Sequence, residues 1–531
     1  MTKYIFVTGG VISGLGKGVT SASIGAILQM LGEKNITIKK LDPYLNVDAG
    51  TMNPIEHGEV FVTDDGTETD LDLGYYERFL EINTSRHNSS SSGKLYQKLI
   101  EKERNGDYLG KTVQMIPHFT NIIKEFICYN PGNYEYIICE IGGSVGDIEA
   151  MAFYEALRQL KNDVGVNNSL FIHLTYLVYY PTTNELKTKP TQNTIRDLQQ
   201  VGITPDILIC RSDIPIPKKI KEKLSLHTNL PIKNIIGATN SHSIYHVPLN
   251  FISEGLHFIL LEKLNTKTNL NTLKWKSLNS KIISLNPKKK LTIGILGKYT
   301  ELNDSYKSLL EALFHSGIYY EYKIYIHWIN SRNDDSIQFG QIDGMIIPGG
   351  FGITGIESMI SGIQQSREKK IPTLGICLGM QLMIIEFFRN VVGYKDAGSE
   401  EFNPSVNSNV ITKIDHSSTV YGGSMRLGKY KIELNGTKIK EIYQGDIIHE
   451  RHRHRFTVNQ KYLKILNMNG FNVVGKCPDS DLIEIVELNE KRYDHPWFIG
   501  TQYHPEYQSS PFNPHPLFLS FIKKTIQVKI K

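Results

Sequence analysis

The sequence has no long apolar run, no paired cysteines and little net charge, and each absence excludes a class of protein. No apolar stretch in the 531 residues approaches the roughly 18 residues that a membrane helix needs, so no membrane partner is expected. The five cysteines are scattered without a CxxC pair, which argues against a disulfide framework and a cysteine zinc site. A net charge of +5 without a basic stripe gives no support for nucleic-acid binding.

The amino-terminal segment also lacks the features of a secretory signal. "MTKYIFVTGG" runs straight into a strand-like segment, with neither a basic start nor a small-residue cleavage site. We therefore expect a cytoplasmic protein. Its composition, with 40% hydrophobic and 21% charged residues, is that of an ordinary globular chain.

Alternating strand-like and helix-like segments predict an α/β fold with two domains. β-Branched runs alternate with amphipathic stretches from Lys3 to about Leu264, and the alternation resumes at Leu291 with "LTIGILG". Such alternation is typical of parallel sheets covered by helices. The polar stretch between them has no sustained apolar period. The predicted boundaries are a first domain over residues 1–265, a linker over 266–290 and a second domain over 291–531.

A glycine-rich loop follows the first predicted strand. In "YIFVTGGVISGLGKG", backbone N–H groups and the start of the next helix suit phosphate oxygens, and Lys17 supplies a full charge. The spacing misses the usual GxxxxGK[ST], and Gly18 stands where a hydroxyl residue normally reaches magnesium. A loop this rich in glycine can also be a plain structural turn.

Carboxylates elsewhere are candidates to replace the missing hydroxyl ligand. Asp70 and Asp72 lie on one side of the extended segment "TETDLDLG", and Glu140 ends the strand-like run "YIICE". The carboxyl ends of parallel strands are where ligands bind, and the magnesium of a nucleotide takes one or two carboxylates. The alternative is that these are solvated loop carboxylates.

Basic residues form a second candidate phosphate site. Lys187 and Lys189 precede a helix that starts with proline, and Lys223 lies in "KKIKEKLSL". Lysines beside a helix start suit a polyphosphate, although charge runs are commonly solvated surfaces.

A lone cysteine lies in the Gly-x-Cys-x-Gly turn of "LGICLGMQ". The glycines permit a strained strand-to-helix turn that exposes the Cys377 thiol, and a helix start favours the thiolate. "YHPEY" supplies a base and its orienting carboxylate, because His504 and Glu506 are two residues apart in an extended chain. The backbone N–H groups of Gly350 and Leu378 are candidates for an oxyanion hole. A buried structural cysteine and a surface histidine are the alternative.

The "ERHRHRF" cluster, residues 450–456, is rich in arginine and histidine. A metal site, an anion clamp and a surface patch are all open interpretations. Because arginine is not a metal ligand, a clamp for a carboxylate fits better.

Together these segments resemble the CTP synthase family over essentially the full length of the chain. The resemblance is carried by "FVTGGVISGLGKG", "KLDPYLNVDAGTMNPIEHGEVFVTDDGTETDLDLGYYERF", "GDYLGKTVQMIPH", "EIGGSVGDIE", "KTKPTQ", "PDILICRSD", "PGGFG", "LGICLGMQ", "ERHRHRF" and "YHPEY". It implies an N-terminal parallel-sheet domain with a phosphate loop and a C-terminal class I glutamine amidotransferase domain. The implied reaction is the ATP-dependent amination of UTP to CTP through a 4-phosphorylated UTP, with ammonia from L-glutamine.

The resemblance also assigns expected roles to matching residues. ATP is expected at Gly14, Leu15, Gly16, Lys17, Gly18, Val19 and Asp72, and Mg²⁺ at Asp72 and Glu140. UTP, and CTP as a feedback inhibitor, are expected at Ser13, Asp147, Ile148, Glu149, Lys187, Thr188, Lys189, Pro190, Thr191, Gln192 and Lys223. Glutamine is expected at Gly350, Leu378, Gly379, Met380, Gln381, Glu401 and Arg455, and catalysis at Cys377, His504 and Glu506. His57 and Val60 match the proposed mouth of the family's ammonia channel, and the family implies a homotetramer.

Two departures from the family pattern concern activation by GTP. "PGGFGITG" has Thr354 in a turn where relatives carry an Arg-Gly pair, and the loop over residues 402–424 is short. These differences predict weak or absent stimulation by GTP.

Two other interpretations remain open at this point. One is another ATP-dependent glutamine amidotransferase, of the cobyrinic or cobyric acid type, which lacks "KTKPTQ". The other is an inactive, filament-forming paralogue. Retention of the expected catalytic and metal-binding residues argues against the second: Lys17, Asp72, Glu140, Cys377, His504 and Glu506.

Overall fold

Two α/β units contain the residues that the computed structural model describes, which are 2–12, 14–265, 269–332, 340–406, 408–414 and 425–530. The first unit comprises Met1–Ala49 and Asp72–Ser280, and the second comprises Gly50–Leu71 and Lys281–Lys531. The predicted α/β fold class is confirmed in both. Across these ranges no helix combines the length and the apolarity needed to cross a membrane.

The bounds of the elements follow in chain order. The strands are β1 (Lys3–Gly9), β2 (Ile36–Asp42), β3 (Val60–Val62), β4 (Glu68–Asp70), β5 (Ser89–Ser91), β6 (Tyr136–Ile141), β7 (Ser169–Tyr180), β8 (Glu185–Lys187), β9 (Ile207–Ser212), β10 (Ile235–Thr239), β11 (Lys290–Gly297), β12 (Lys323–Asn330), β13 (Gly344–Ile347), β14 (Thr373–Ile376), β15 (Gly398–Ser399), β16 (Asn409–Lys413), β17 (Arg426–Leu434), β18 (Ile447–His454), β19 (Phe456–Val458), β20 (Phe471–Lys476), β21 (Ile483–Leu488) and β22 (Phe498–Thr501). The α-helices are α1 (Lys17–Met30), α2 (Pro54–His57), α3 (Asp72–Leu80), α4 (Ser92–Arg104), α5 (Thr120–Cys128), α6 (Met151–Val164), α7 (Lys189–Gln200), α8 (Lys218–Thr228), α9 (Val247–Ser253), α10 (Leu256–Leu264), α11 (Leu273–Ile283), α12 (Lys307–Tyr320), α13 (Ile356–Glu368), α14 (Leu378–Phe387), α15 (Thr437–Tyr443), α16 (Leu463–Met468), α17 (Glu490–Tyr493) and α18 (Pro516–Ile530).

The first unit is built on a parallel sheet with β1 near its centre. The strand order is β10-β9-β7-β1-β6-β2-β5, and short β8 pairs antiparallel with β7. β1 is buried on both faces, as expected for a central strand between helical layers. Because β1 runs parallel to β6 and β7, the carboxyl ends of these strands lie at one edge of the sheet. Ligands bind at this edge in open parallel sheets.

The second unit is built on a mixed sheet of order β12-β11-β13-β14-β22-β21-β20-β17-β18. The strands from β12 to β22 are parallel, and those from β21 to β18 pair antiparallel. β14 and β22 are neighbours with Ile376 opposite Thr501. Their carboxyl ends therefore lead into Cys377 and Gln502 at the same edge, which brings two distant sequence motifs together.

Residues 50–71 differ from the predicted boundary, because they pack with the second unit rather than the first. Arg451 Nε lies 2.6 Å from Asp64 Oδ1, and Arg453 Nε lies 2.7 Å from Glu68 Oε1. Pairs such as these join residues almost 400 positions apart, so no local pattern announces them. The polar β3–β4 hairpin gains its partners from β18 of the second unit.

The predicted linker also differs from the structure, because it contains helix α11. Trp275 is buried, and its ring centroid lies 5.5 Å from that of Phe79 on α3. Trp275, Leu278 and Ile282 are all buried and recur at helical spacing, so tertiary packing of this short apolar face stabilises a helix whose other residues are mostly polar.

Candidate active sites

The glycine-rich loop of the first unit connects β1 to α1. Gly14 and Gly16 have φ values of 67° and 93°, in the left-handed region that favours glycine. Lys17 begins α1, and its Nζ donates to the Gly143 carbonyl at 2.6 Å. Burial lowers the pKa of Lys17, and the carboxylate of Glu140 opposes that change. The loop therefore places the Lys17 cation and the start of α1 at the ligand-binding edge of the sheet.

Carboxylates from several elements converge on the ammonium group of Lys40. Lys40 Nζ pairs with Asp72, and lies 3.4 Å from Asp42 Oδ1 and 3.6 Å from Glu140 Oε1. Glu140 is fully buried, and its Oε2 accepts a hydrogen bond of 2.6 Å from the Tyr76 hydroxyl. The arrangement is a cation site built from carboxylates. Lys40 and Asp42 were not identified from the sequence, although charged residues in the apolar strand "ITIKKLD" are a usable signal.

Gly18, which stands where the usual loop motif has a hydroxyl residue, lies directly against the Asp72 carboxylate. A Cβ on Gly18 would lie 2.0 Å from Asp72 Oδ1, so the carboxylate fills the space that a side chain would need. Asp72 and Glu140 both lie against the Lys40 ammonium group, and carboxylate oxygens are ligands that a hard divalent ion prefers. The two carboxylates are of the donor type that Mg²⁺ prefers, and among the described residues no group of three or more His, Cys, Asp or Glu side chains is arranged to hold a metal ion. Asp70, the other candidate, ends β4 in the second unit.

A cavity of about 230 Å³ lies beside the glycine loop. Leu15, Gly16 and Val19 line one side, and residues 238–241 with Phe251 line another. Arg211 Nη1 donates to the Leu15 carbonyl at 2.9 Å and holds the loop. Sequence reasoning missed the residues after β10, since they carry no chemical motif.

The predicted UTP residues of "KTKPTQ" surround the start of α7. Thr188 is its N-terminal cap residue and Pro190 lies in its first turn. Thr191 is buried and donates from Oγ1 to the Tyr176 carbonyl at 3.2 Å, while Gln192 Nε2 donates to Thr188 Oγ1 at 3.0 Å. The helix start is thus fixed by its own side chains. Two lysines, Lys187 and Lys189, are exposed beside it.

The remaining predicted UTP residues lie on two other segments of the same unit. Asp147 Oδ2 accepts a hydrogen bond of 2.6 Å from the Ser144 N–H, and Ile148 and Glu149 are exposed. Lys223 is exposed on α8. Ser13 lies outside the described residues.

A buried histidine that sequence reasoning missed connects the glycine-loop strand to α7. His173 Nδ1 lies 2.9 Å from Thr8 Oγ1, and its Nε2 lies 3.1 Å from Thr194 Oγ1. Burial, assisted by nearby Lys17, lowers the pKa of His173 to about 3. A neutral ring therefore links β1, β7 and α7 at neutral pH.

Cys377 of the second unit lies in a strained turn between β14 and α14. Its φ and ψ are 53° and −104°, which few non-glycine residues adopt. A Cβ on Gly375 would lie 2.3 Å from Met383 Sδ, and one on Gly379 would lie 2.0 Å from the Ile347 carbonyl oxygen. The flanking glycines are therefore required for helix, turn and strand to pack this closely, as in a nucleophile elbow.

His504 and Glu506 are held next to each other and beside Cys377. His504 Nδ1 lies 2.7 Å from Glu506 Oε1, and the His504 N–H donates to the Arg451 carbonyl at 2.8 Å. Burial alone would lower the pKa of His504, but the Glu506 carboxylate and the Cys377 thiolate raise it to about 10. The structure thus brings the predicted triad residues together and favours a charged imidazolium.

Gly349 lies against both the His504 imidazole and the Cys377 side chain. A Cβ on Gly349 would lie 2.9 Å from His504 Cε1 and 3.6 Å from Cys377 Cβ. Gly349→Ala is therefore expected to displace the imidazole and to reduce glutaminase activity by about 100-fold, measured as glutamate release. Gly350→Ala, whose Cβ would keep 3.4 Å or more from its neighbours, is expected to lose much less. Equal losses in both variants would contradict this packing argument.

The carboxylate of Glu506 should set the alkaline limit of glutaminase activity. It raises the pKa of His504, so the imidazolium is retained below about pH 10 and lost above it. In Glu506→Gln the proton should leave at lower pH, and the alkaline limb of the kcat profile should move to lower pH by at least about one unit. An unchanged limb would show that another group controls it.

The loop after β13 carries the candidate oxyanion donor Gly350. Lys298 Nζ donates to the Phe351 carbonyl at 3.2 Å and also to that of Gly352, whose N–H donates to Glu401 Oε1 at 2.8 Å. Burial raises the pKa of Glu401, and Lys298 and Arg455 oppose that rise. Glu401 and Arg455, which were expected at the glutamine site, are thus coupled to this loop.

The other expected glutamine contacts lie in the first turn of α14. Leu378 and Gly379 begin the helix beside the elbow. The side chains of Met380 and Gln381 are buried, and Gln381 Nε2 donates to the Phe456 carbonyl at 3.1 Å. Neither side chain is directed to solvent.

A cavity of about 70 Å³ opens at Cys377, His504 and Glu506. Glu59 and Val60, from the segment that joins the second unit, line it as well. His57 is exposed at the end of α2 and is not among its lining residues. Of the two expected channel residues, Val60 alone borders this cavity.

The residues of "ERHRHRF" that lie on β18 have different hydrogen-bonding and ion-pair partners. The guanidinium groups of Arg451 and Arg453 pair with Asp64 and Glu68 of the hairpin, as described above. Between them, His452 Nε2 lies 2.8 Å from the buried Glu484 carboxylate. Arg451 and Arg453 therefore bind carboxylates, as a carboxylate clamp would, but these carboxylates belong to side chains of the protein itself.

Comparisons with known proteins match both units. The family model described as "CTP synthase N-terminus" matches residues 3–266. The chain is 49% identical over 526 residues to a CTP synthase of Hydrogenobaculum sp. (strain Y04AAS1), covering 98% of this chain and 97% of the relative. The chain belongs to the CTP synthase family. A CTP synthase of Aquifex aeolicus is 48% identical over 538 residues, covering 100% of both chains.

The second unit has its own matches. The model described as "Glutamine amidotransferase class-I" covers residues 301–524. A solved glutaminase domain of Trypanosoma brucei CTP synthase with bound acivicin is 31% identical, with a TM-score of 0.41, and spans 45% of this chain and 94% of the solved one. This member of the CTP synthase family is an enzyme with a class I glutamine amidotransferase domain, as predicted from "LGICLGMQ" and "YHPEY".

Proposed function

We propose that this protein makes CTP from UTP, using ATP and the amide nitrogen of L-glutamine. ATP transfers a phosphoryl group to O4, the carbonyl oxygen on C4 of the uracil ring, ammonia displaces that phosphate from C4, and CTP, ADP, phosphate and glutamate are released. The observation that carries the proposal is the presence in one chain of a phosphate loop with paired carboxylates and a cysteine elbow with its histidine. Family membership supports the same reaction.

In the second unit we propose that Cys377 hydrolyses glutamine. The thiolate attacks the amide carbon, and the His504 imidazolium gives its proton to the leaving ammonia. The neutral imidazole then takes a proton from the water that hydrolyses the thioester. Glu506 keeps the ring oriented through the 2.7 Å contact with Nδ1. The N–H groups of Gly350 and Leu378 face the developing oxyanion.

In the first unit we propose that ATP binds along the glycine loop. Residues 14–19 enclose the phosphates with backbone N–H groups, and the 230 Å³ cavity takes the adenosine end. Asp72 and Glu140 would hold Mg²⁺, which neutralises charge on the transferred phosphoryl group when bound. Lys17 and Lys40 supply positive charge beside them. UTP, and CTP as inhibitor, bind at the start of α7 through the lysines and hydroxyls described above.

We propose that ammonia leaves the 70 Å³ cavity past Val60. This residue belongs to the segment that is covalently continuous with Asp72, the first residue of α3. We also propose, from family membership, that the protein acts as a homotetramer in the cytoplasm.

The test is the spectrophotometric conversion of UTP to CTP by the purified chain, with ATP and Mg²⁺. It is run in parallel with glutamine and with ammonium chloride as nitrogen source. Activity with both is the expected result. Glutamate release without CTP under every condition would overturn the synthetase assignment, and no activity of either kind would favour an inactive paralogue.

GTP is expected to stimulate this enzyme weakly or not at all. Thr354 replaces the residue type that relatives use in the turn after Gly350, and it is exposed. Part of the short loop over 402–424, including residues 415–424, lies outside the described residues. Glutamine-dependent CTP formation with and without GTP measures the effect, and activation of several-fold would contradict the expectation.

A further inference from the structure

The sulfur of Cys377 has polar neighbours that do not belong to the triad. The Arg453 carbonyl oxygen and Gln502 Nε2 each lie 3.6 Å from Sγ. A thiol can donate its hydrogen to the carbonyl, whereas a thiolate cannot donate. Of these two neighbours, only the amide N–H of Gln502 can form a hydrogen bond to the ionised sulfur, so this contact favours the thiolate.

The orientation of the Gln502 amide is fixed by a chain of hydrogen bonds. Gln381 Nε2 donates to the Phe456 carbonyl and to Gln502 Oε1, both at 3.1 Å. A backbone carbonyl can only accept, so the NH₂ group of Gln381 must face Phe456 and Gln502. The oxygen of Gln502 must then face Gln381, and its NH₂ group must face the sulfur. Gln502 is fully buried, so bulk water is not available to compensate for the reversed amide.

A buried ionic network supports this chain at its far end. His454 Nδ1 lies 2.8 Å from the Phe456 carbonyl, and its Nε2 lies 3.2 Å from Arg426 Nη1. Burial lowers the pKa of His454 well below its ordinary value, so the ring donates to Phe456 and accepts from Arg426. Arg426 Nη1 is also 2.7 Å from Glu484 Oε1, and the Glu484 carbonyl accepts from the Gln502 backbone N–H at 2.8 Å. Both ends of Gln502 are therefore anchored to the same network.

We propose that Gln502 is a positioning residue of the glutaminase site, which holds the Cys377 sulfur and stabilises its thiolate through the amide N–H. The inference deepens the proposed glutaminase function and rests on it. Gln502 carries no charge, so replacing it changes hydrogen bonding without changing the charges around the sulfur. The titratable and charged groups that line the same cavity are Glu59, Tyr299, Tyr306, Arg453, His504, Glu506 and Tyr507.

The experiment compares Gln502→Leu and Gln502→Glu with the control Gln508→Leu. Gln508 lies six residues further along, and its Nε2 donates to the His449 carbonyl at 3.1 Å and to Glu450 Oε2, so it offers the same chemistry away from the sulfur. The rate of Cys377 alkylation by iodoacetamide is followed against pH by peptide mass spectrometry. Glutaminase kcat and KM and ammonia-dependent CTP formation are measured on the same samples.

In Gln502→Leu the midpoint of the alkylation profile is expected to move to higher pH, and kcat to fall about 10- to 100-fold with little change in KM. Gln502→Glu should shift the midpoint further, because a carboxylate would repel the thiolate. Gln508→Leu should match the wild type in every readout. Retained ammonia-dependent activity would show that the variants are folded.

An unmoved alkylation midpoint in both Gln502 variants would overturn the inference, whatever happens to kcat, because a purely structural role would change the rate alone. Failure of the proposed function gives a different pattern. If the wild type releases no glutamate but the alkylation midpoint still moves, the contact to sulfur stands and the glutaminase assignment fails.

Discussion

Cys377→Ala is expected to reduce glutamine-dependent CTP formation by more than about 1,000-fold and to leave ammonia-dependent formation within about twofold of wild type. The alanine removes the only atom of the side chain that can form the thioester. Free ammonia bypasses this step, so the first unit should keep working. Glutamate release and CTP formation are measured with each nitrogen source.

Cys477→Ala is the matched control for this substitution. Cys477 is also a buried cysteine of the second unit, just after β20, and does not line the 70 Å³ cavity. It should keep both activities. Glutamine-dependent activity that survives in Cys377→Ala would remove the thiol from the mechanism, and loss of both activities in Cys377→Ala would contradict the separation of the two reactions.

Asp72→Asn is expected to impair CTP formation rather than glutamine hydrolysis, which is the opposite of the effect of Cys377→Ala. It should reduce CTP formation at least about 100-fold with either nitrogen source and leave a glutaminase that still releases glutamate. The amide keeps the shape of the carboxylate but removes the charge that pairs with Lys40 and that would hold Mg²⁺. Excess Mg²⁺ should recover part of the loss, because the remaining ligand Glu140 is unchanged.

Asp70→Asn is the control that separates the two carboxylates of "TETDLDLG". Asp70 lies on β4 of the second unit, whereas Asp72 begins α3 of the first unit and pairs with Lys40. A clearly smaller loss is therefore expected for Asp70→Asn. Full ammonia-dependent activity in Asp72→Asn, or an equal loss in both variants, would contradict the assignment of Asp72.

The fold class and the elbow could be predicted because both depend on local sequence patterns. Buried β-branched strands alternating with helices predict parallel sheets, and glycines at both sides of Cys377 predict a tight strand-to-helix turn. The structure adds the reason, since a Cβ on Gly379 would lie 2.0 Å from a backbone oxygen. The pairing of His504 with Glu506 could also be predicted from local sequence, because the two residues are two apart in one extended segment.

The placement of residues 50–71 in the second unit could not be predicted, because the residues that pair with this segment are distant in the chain. Asp64 and Glu68 look like ordinary loop carboxylates until Arg451 and Arg453 are placed beside them. Helix α11 was missed for a related reason. Its apolar face is short, consisting of the buried Trp275, Leu278 and Ile282 in a polar stretch, and Trp275 packs on Phe79, which is distant in the chain.

The orientation of Gln502 is also a property of the folded core. Its position two residues before His504 suggests the correct side of the segment, but nothing local fixes which atom of the amide faces Cys377. That choice is made by the Phe456 carbonyl through Gln381. A side-chain amide gains a defined direction only when buried partners constrain it.

The most direct test of the central claim follows the amide nitrogen of glutamine through the enzyme. Glutamine with a heavy nitrogen isotope in its amide group is supplied with ATP, Mg²⁺ and UTP, and the CTP is analysed by mass spectrometry. We expect the exocyclic amine of CTP to carry the heavy isotope and Cys377→Ala to form no labelled CTP. Glutamate release accompanied by no CTP, or labelled CTP made by Cys377→Ala, would contradict it.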